Sequence, residues 1–126
     1  MFKRILGVAL AGALALTVGG AVPASAKDGD VIRRGSCSAG AEWKLKLSEE
    51  DGGIEVEYEV DSNVNGQRWR VRIFQNGERI FLGSRTTTGP SGSFEVRTVA
   101  SNTAGTDTFR ARAVNGDQVC RGSASF

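Results

Sequence analysis

The sequence predicts an all-β fold: an antiparallel sandwich of two sheets and about seven strands. Three observations carry that expectation. From Val31 onward, apolar and charged residues alternate with a period of two, not 3.6. Turn pairs rich in Gly and Asn fall between the alternating runs. Cys37 and Cys120 are the only cysteines in the chain and bracket almost all of the runs.

Ahead of the runs stands a segment of a different kind. Lys3 and Arg4 precede an uncharged apolar stretch from Ile5 to Val18, and Pro23 and Ala24-Ser25-Ala26 follow it. A short basic head, an apolar middle and an A-x-A site are the marks of a secretory signal, so residues 1–26 are expected to be cleaved away. The stretch is shorter than the roughly 20 residues a membrane helix needs, and no second apolar run follows, so no membrane span is expected. Lys27 rather than Cys follows the site, which gives no lipid anchor. Residues 27–126 then form a single secreted domain, extracellular or associated with the cell wall, and too short for two cores.

Val31 to Ser36 reads as a short edge strand. Trp43, Leu45 and Leu47 then alternate with Glu42, Lys44 and Lys46. Ile54, Val56, Tyr58 and Val60 alternate with Glu55, Glu57 and Glu59, and Trp69, Val71 and Ile73 with Arg68, Arg70 and Arg72. Each run has one apolar and one charged face, the pattern of a half-buried strand. Further strands are expected around Arg79 to Ser84, from Ser93 to Val99, from Thr106 to Val114 and from Gln118 to Phe126. Turns are expected at Asp51-Gly52-Gly53, Asn65-Gly66, Asn76-Gly77, Gly89-Pro90-Ser91-Gly92, Ala104-Gly105 and Asn115-Gly116. Asn76-Gly77 is the clearest two-residue hairpin among them. Trp43, Tyr58, Trp69, Phe94, Phe109 and Phe126 are expected to fill the core.

An exported chain meets an oxidising compartment, where an even pair of cysteines is most simply a disulfide. A Cys37–Cys120 bridge would close most of the domain, and chain entropy values such a link at roughly 4–5 kcal/mol. A redox or nucleophilic thiol is not expected: there is no C-x-x-C, and no His to lower a thiol pKa.

The order of these features resembles an immunoglobulin-like or fibronectin type III-like sandwich. Trp69, on the third long strand and ahead of Asn76-Gly77, resembles the core Trp of strand C. The stretch from Ala104 to Asn115 resembles the turn and F strand that carry a tyrosine corner. Phe109 stands where that corner has Tyr, and Ala111 where an inter-sheet Cys would be, so the resemblance implies architecture alone. The chain is also similar to a set of small exported actinobacterial proteins of this build, a likeness that carries no chemistry.

The resemblance implies one sheet from Glu42–Ser48, Ile54–Val60 and Ser93–Val99. The other holds Gln67–Gln75, Arg79–Ser84, Thr106–Val114 and Gln118–Phe126. On that arrangement the outer face of the first sheet shows Glu55, Glu57, Glu59 and Glu95, relieved by Lys44, Lys46 and Arg97. The outer face of the second collects Arg68, Arg70, Arg72, Arg110, Arg112 and Arg121 with almost no acid, and Phe74 shares their parity. Such a face suits an anionic partner, because guanidinium offers a planar fork matched to carboxylate and phosphate. A rival pairing makes the second and third long strands a hairpin through Asp61 to Gly66. Glu55, Glu57 and Glu59 then face Arg72, Arg70 and Arg68 in an ordinary ladder of exposed ion pairs, worth a few tenths of a kcal/mol each. The sequence leaves both arrangements open.

The chain carries 16 Lys+Arg and 14 Asp+Glu, and Lys3 and Arg4 lie in the signal, so the domain itself is balanced. That argues against nucleic-acid binding, which wants a strongly basic surface. No His is present, which removes Ser–His and Cys–His catalysis and imidazole metal sites. Gly89-Pro90-Ser91-Gly92-Ser93 approaches G-x-S-x-G but lacks the final Gly and any base, and reads as a turn. Glu55, Glu57 and Glu59 read as solvated charge rather than a glycosidase pair. Asp28-Gly29-Asp30 offers too few oxygens for a Ca²⁺ site. Neither enzyme activity, cofactor nor metal is expected. The expected function is a non-catalytic binding or interaction module for an anionic cell-envelope polymer or an extracellular protein. The alternative is a small-molecule carrier with a pocket in the sandwich. A protease inhibitor presenting Arg85-Thr86-Thr87-Thr88-Gly89-Pro90 is a further reading, one without a flanking disulfide to stiffen the loop.

Overall fold

A computed structural model describes residues 28–126; the signal expected over residues 1–26 lies outside the described residues. Eight strands follow in order: β1 Val31–Ser36, β2 Glu42–Glu50, β3 Gly53–Asp61, β4 Arg68–Gln75, β5 Glu78–Thr86, β6 Ser93–Ser101, β7 Thr108–Asn115 and β8 Gln118–Ser125. They build two four-stranded sheets, ordered β1-β2-β3-β6 and β5-β4-β7-β8. Every strand pairing is antiparallel. The strands number eight rather than seven because Val31–Ser36 pairs along its whole length with β2. At the Asn76-Gly77 turn both residues have positive φ, 51° and 86°, as a type I′ hairpin requires.

The rival hairpin between β3 and β4 is not formed. β3 lies between β2 and β6, and β4 between β5 and β7. Glu55, Glu57 and Glu59 therefore do not face Arg72, Arg70 and Arg68. The segment after β3 crosses to the other sheet instead of turning back, and hydrogen bonds fix the crossing. Ser62 N–H donates to the Gly92 carbonyl at 3.0 Å, and Gly66 N–H to the Thr87 carbonyl at 2.8 Å. The Thr87 hydroxyl donates to the Val64 carbonyl at 2.6 Å and accepts from Gln67 N–H at 2.9 Å. Gly92 closes this corner with φ 74°, and a Cβ there would run into the Val64 backbone nitrogen.

Alternation puts Leu45, Leu47, Ile54, Val56, Tyr58, Val60, Trp69, Val71, Ile73, Phe94, Val96 and Phe109 between the sheets, all buried. Each such side chain contributes about 1.5–3 kcal/mol of burial, against the entropy of ordering the chain. Trp69 meets Phe94 across the core with ring centroids 6.3 Å apart. Trp43 and Phe126 pack only at the margin and are partly buried.

The opposite sheet and its β1–β2 turn hold β8 at several points: Ser38 donates its N–H to the Val119 carbonyl (3.0 Å), and its hydroxyl accepts from Val119 N–H (2.9 Å). Cys37, just beyond β1, is bridged to Cys120, with Cα atoms 4.4 Å apart. The buried Tyr58 hydroxyl donates to the Cys120 carbonyl at 3.1 Å, and burial pushes its pKa up.

Candidate functional site

The outer face of the second sheet carries the six arginines singled out above. Arg68, Arg70 and Arg72 alternate along β4 with buried Trp69, Val71 and Ile73. Arg110 and Arg112 alternate along β7 with buried Phe109, Ala111 and Ala113, and Arg121 follows buried Cys120 on β8. Register then aligns charges across strands. Arg72 stands directly opposite Arg112, and Arg112 directly opposite Arg121. Directly opposite side chains in a sheet lie about 4.5–5.5 Å apart at Cβ, so three guanidiniums form one transverse row. The next row runs from Phe74 through Arg110 to Ser123.

A seventh arginine joins them. Strict alternation along β5 would put Arg79 on the same side as Phe81, facing the core. The β4–β5 register shifts between Ile73 and Phe74, which leaves Arg79 opposite Phe74. Ile80 and Phe81 both pack against the core, and Arg79 is exposed. Such a bulge re-aims side chains beyond it. Arg85 is exposed too, but its guanidinium lies 5.2 Å over the Phe81 ring.

Glu78, at the first position of β5, is the only carboxylate in the four strands of this sheet. Among the described residues none of the six arginines forms an ion pair. The first sheet is different. There Lys44 meets Glu59 at 3.7 Å, Lys46 meets Glu57 at 3.7 Å, and Arg97 lies 3.4–3.6 Å from Glu55, Glu57 and Glu95. Burial, together with the neighbouring Glu57 carboxylate, pushes Glu55 and Glu95 above the ordinary carboxylate value. The first sheet pairs its central cations with glutamates, whereas the second sets its arginines together with Glu78 as the lone acid of its strands.

An open hollow of about 1040 Å³ lies at the β4–β7–β8 end of this face. Trp43, Phe74, Arg110, Arg112, Arg121 and Ser123 line it. Trp43 reaches it from β2 by lying against two glycines. A Cβ on Gly35 or on Gly122 would come within 2.7 Å of the indole. Both positions must be glycine for the ring to sit between β1 and β8, the edges of two different sheets.

Asp107 holds the far rim. It is fully buried, and its carboxylate accepts four hydrogen bonds. The donors are the Thr103 hydroxyl (2.6 Å) and N–H (3.0 Å), Asn76 Nδ2 (2.9 Å) and Gln75 Nε2 (3.0 Å). These bonds, the Thr103 hydroxyl first, hold its pKa below the ordinary 3.8 despite burial. Asn76 and Thr108, which the network positions, line the hollow.

The other candidates fare less well. Asp30 lies 3.8 Å from the Lys46 ammonium, so a cation of the protein's own already engages it. Among the described residues no group of three or more His, Cys, Asp or Glu is placed to hold a metal ion. Nor is any helix long and apolar enough to cross a membrane. The 85–90 loop doubles back tightly, with Thr88 and Ser93 bonded to each other through both backbone groups. No family model, curated protein or solved structure matches the chain.

Proposed function

We propose that this is a non-catalytic secreted binding module, immunoglobulin-like or fibronectin type III-like in build, that engages an anionic cell-envelope polymer through the outer face of β4, β7 and β8. The observation that carries the reading is the segregation of charge. In a domain of balanced composition, one sheet pairs Lys44, Lys46 and Arg97 with four glutamates, and the other lines up Arg72, Arg112 and Arg121 with no acid between them. Directly opposed like charges destabilise a sheet by tenths of a kcal/mol each, so the arrangement works against the fold. A polyanion laid across the face reverses that sign, and each guanidinium can grip carboxylate or phosphate through two parallel hydrogen bonds.

The test is retention of the mature domain on immobilised polygalacturonate and polyphosphate, compared with a variant carrying Arg70→Gln, Arg72→Gln and Arg110→Gln. The expected result is retention on at least one resin at low salt, release as salt rises, and earlier release of the variant. Exposed charge contacts are screened within about 10 Å at 0.1 M salt. Identical elution of the two proteins would remove the arginine face from the account.

A further inference from the structure

We infer that the hollow is a seat for one acidic sugar ring, so that the polymer recognised is a uronate-type polysaccharide rather than a ring-free polyphosphate chain. This rests on the reading of the arginine face as an anion-binding surface and adds a claim about the repeating unit.

The chemistry of the lining supports it. A bare polyanion needs only positive charge, which the β4 row of Arg68, Arg70 and Arg72 already supplies. The hollow combines charge with apolar ring surface. Arg110, Arg112 and Arg121 share it with Phe74 and Trp43. Phe74 stands directly opposite Arg110, so an aromatic face and a guanidinium are cross-strand neighbours. A pyranose carries an apolar face of C–H groups and, in a uronate, a carboxylate at the ring's edge. Its apolar face fits against Phe74, over a floor formed by Gly122 and the Trp43 ring beneath it, while its carboxylate meets the Arg112–Arg121 pair. Ser123, on the other side of Arg110, offers a hydroxyl to the sugar's own. A volume of about 1040 Å³ is slightly above the usual range of small-ligand sites, about 300–1,000 Å³, so adjoining rings of the chain have room to enter.

The site also looks built rather than incidental. Trp43 stands at the hollow because Gly35 and Gly122 leave space for its ring, and Asp107 fixes the opposite rim through Asn76.

The domain has only two tryptophans, and Trp69 is fully buried. Indole fluorescence therefore reports on Trp43 as ligand enters. The experiment titrates the mature domain with tetragalacturonate and, separately, with a linear polyphosphate of equal charge, following fluorescence and binding heat. The expected result is at least tenfold tighter binding of tetragalacturonate, with a fluorescence change. Phe74→Ala should abolish the preference while leaving the weaker polyphosphate binding in place. Arg112→Gln, which touches no core contact, should weaken both ligands and serves as the second variant if Phe74→Ala does not fold. Equal affinity for the two ligands, or a preference that survives Phe74→Ala, overturns the seat and leaves the arginine face standing. Binding of neither ligand overturns both.

Discussion

Asp107 ties the far rim of the hollow to the rest of the fold, and its charge makes that tie sensitive to acid. An aspartate whose pKa is lowered on folding contributes stability that is complete above its unfolded value. That contribution fades as the pH falls through the folded one. Asp107→Asn should therefore be less stable than the wild type at neutral pH, and the gap should narrow as the pH falls below 3.8. Urea denaturation at a series of pH values measures this; a gap independent of pH would show that the charge is not what the four donors hold. Tyr58 makes a simpler case. Tyr58→Phe removes one buried hydrogen bond between sheets and should cost about 1 kcal/mol, the usual net value. Neither role is legible in the sequence. Asp107 looks like any polar residue ahead of a strand; Thr103 is four residues away, but Gln75 and Asn76 come from the end of β4 and its turn, more than thirty residues back. Tyr58 is legible as a core residue from its parity, but its partner, a backbone carbonyl on β8, is not.

Within single strands the sequence is a good guide, because side chains of a strand must alternate and one face must be apolar. That is enough to place Arg68, Arg70 and Arg72 together, and likewise Arg110 and Arg112. It fails at Arg79, where the bulge after Ile73 breaks the alternation, and at Trp43, whose position depends on two glycines far apart in the chain. It also cannot choose the partners of β3 and β4. Their opposite charges fit a hairpin, and only the crossing held by Thr87 and Gly92 separates them into different sheets. The transverse row gives a prediction of opposite signs. Arg112 faces a like charge on either side, so Arg112→Gln should raise stability by about 0.2–1 kcal/mol while reducing retention on anionic polymer. Denaturation and salt elution of the same variant read both effects. A loss of stability, or undiminished retention, would contradict the role given to the row.

For the molecule as a whole, the Cys37–Cys120 bridge spans a sequence separation of 83 and fastens the β1 side of one sheet to β8 of the other. Replacing both cysteines by Ala should remove roughly 4–5 kcal/mol at most, by the loop-entropy argument, and more than Tyr58→Phe does. Thermal unfolding with and without reductant measures it. The bridge and the Tyr58 hydrogen bond meet at Cys120, one residue from Arg121. The edge strand that carries part of the arginine face is thus the strand most firmly anchored to the opposite sheet. On the proposed function, a rigid support of this kind keeps the row of guanidiniums in register for a repeating ligand.

The most direct measurement is a map of amide chemical shifts as oligogalacturonate is added to the isotopically labelled domain of residues 28–126. The account predicts shifts concentrated at Arg70 to Phe74, Arg110 to Arg112 and Arg121 to Ser123, diminishing as salt is raised. Shifts centred instead on Lys44, Lys46 and Arg97 of the first sheet, or scattered with no preferred face, would contradict it.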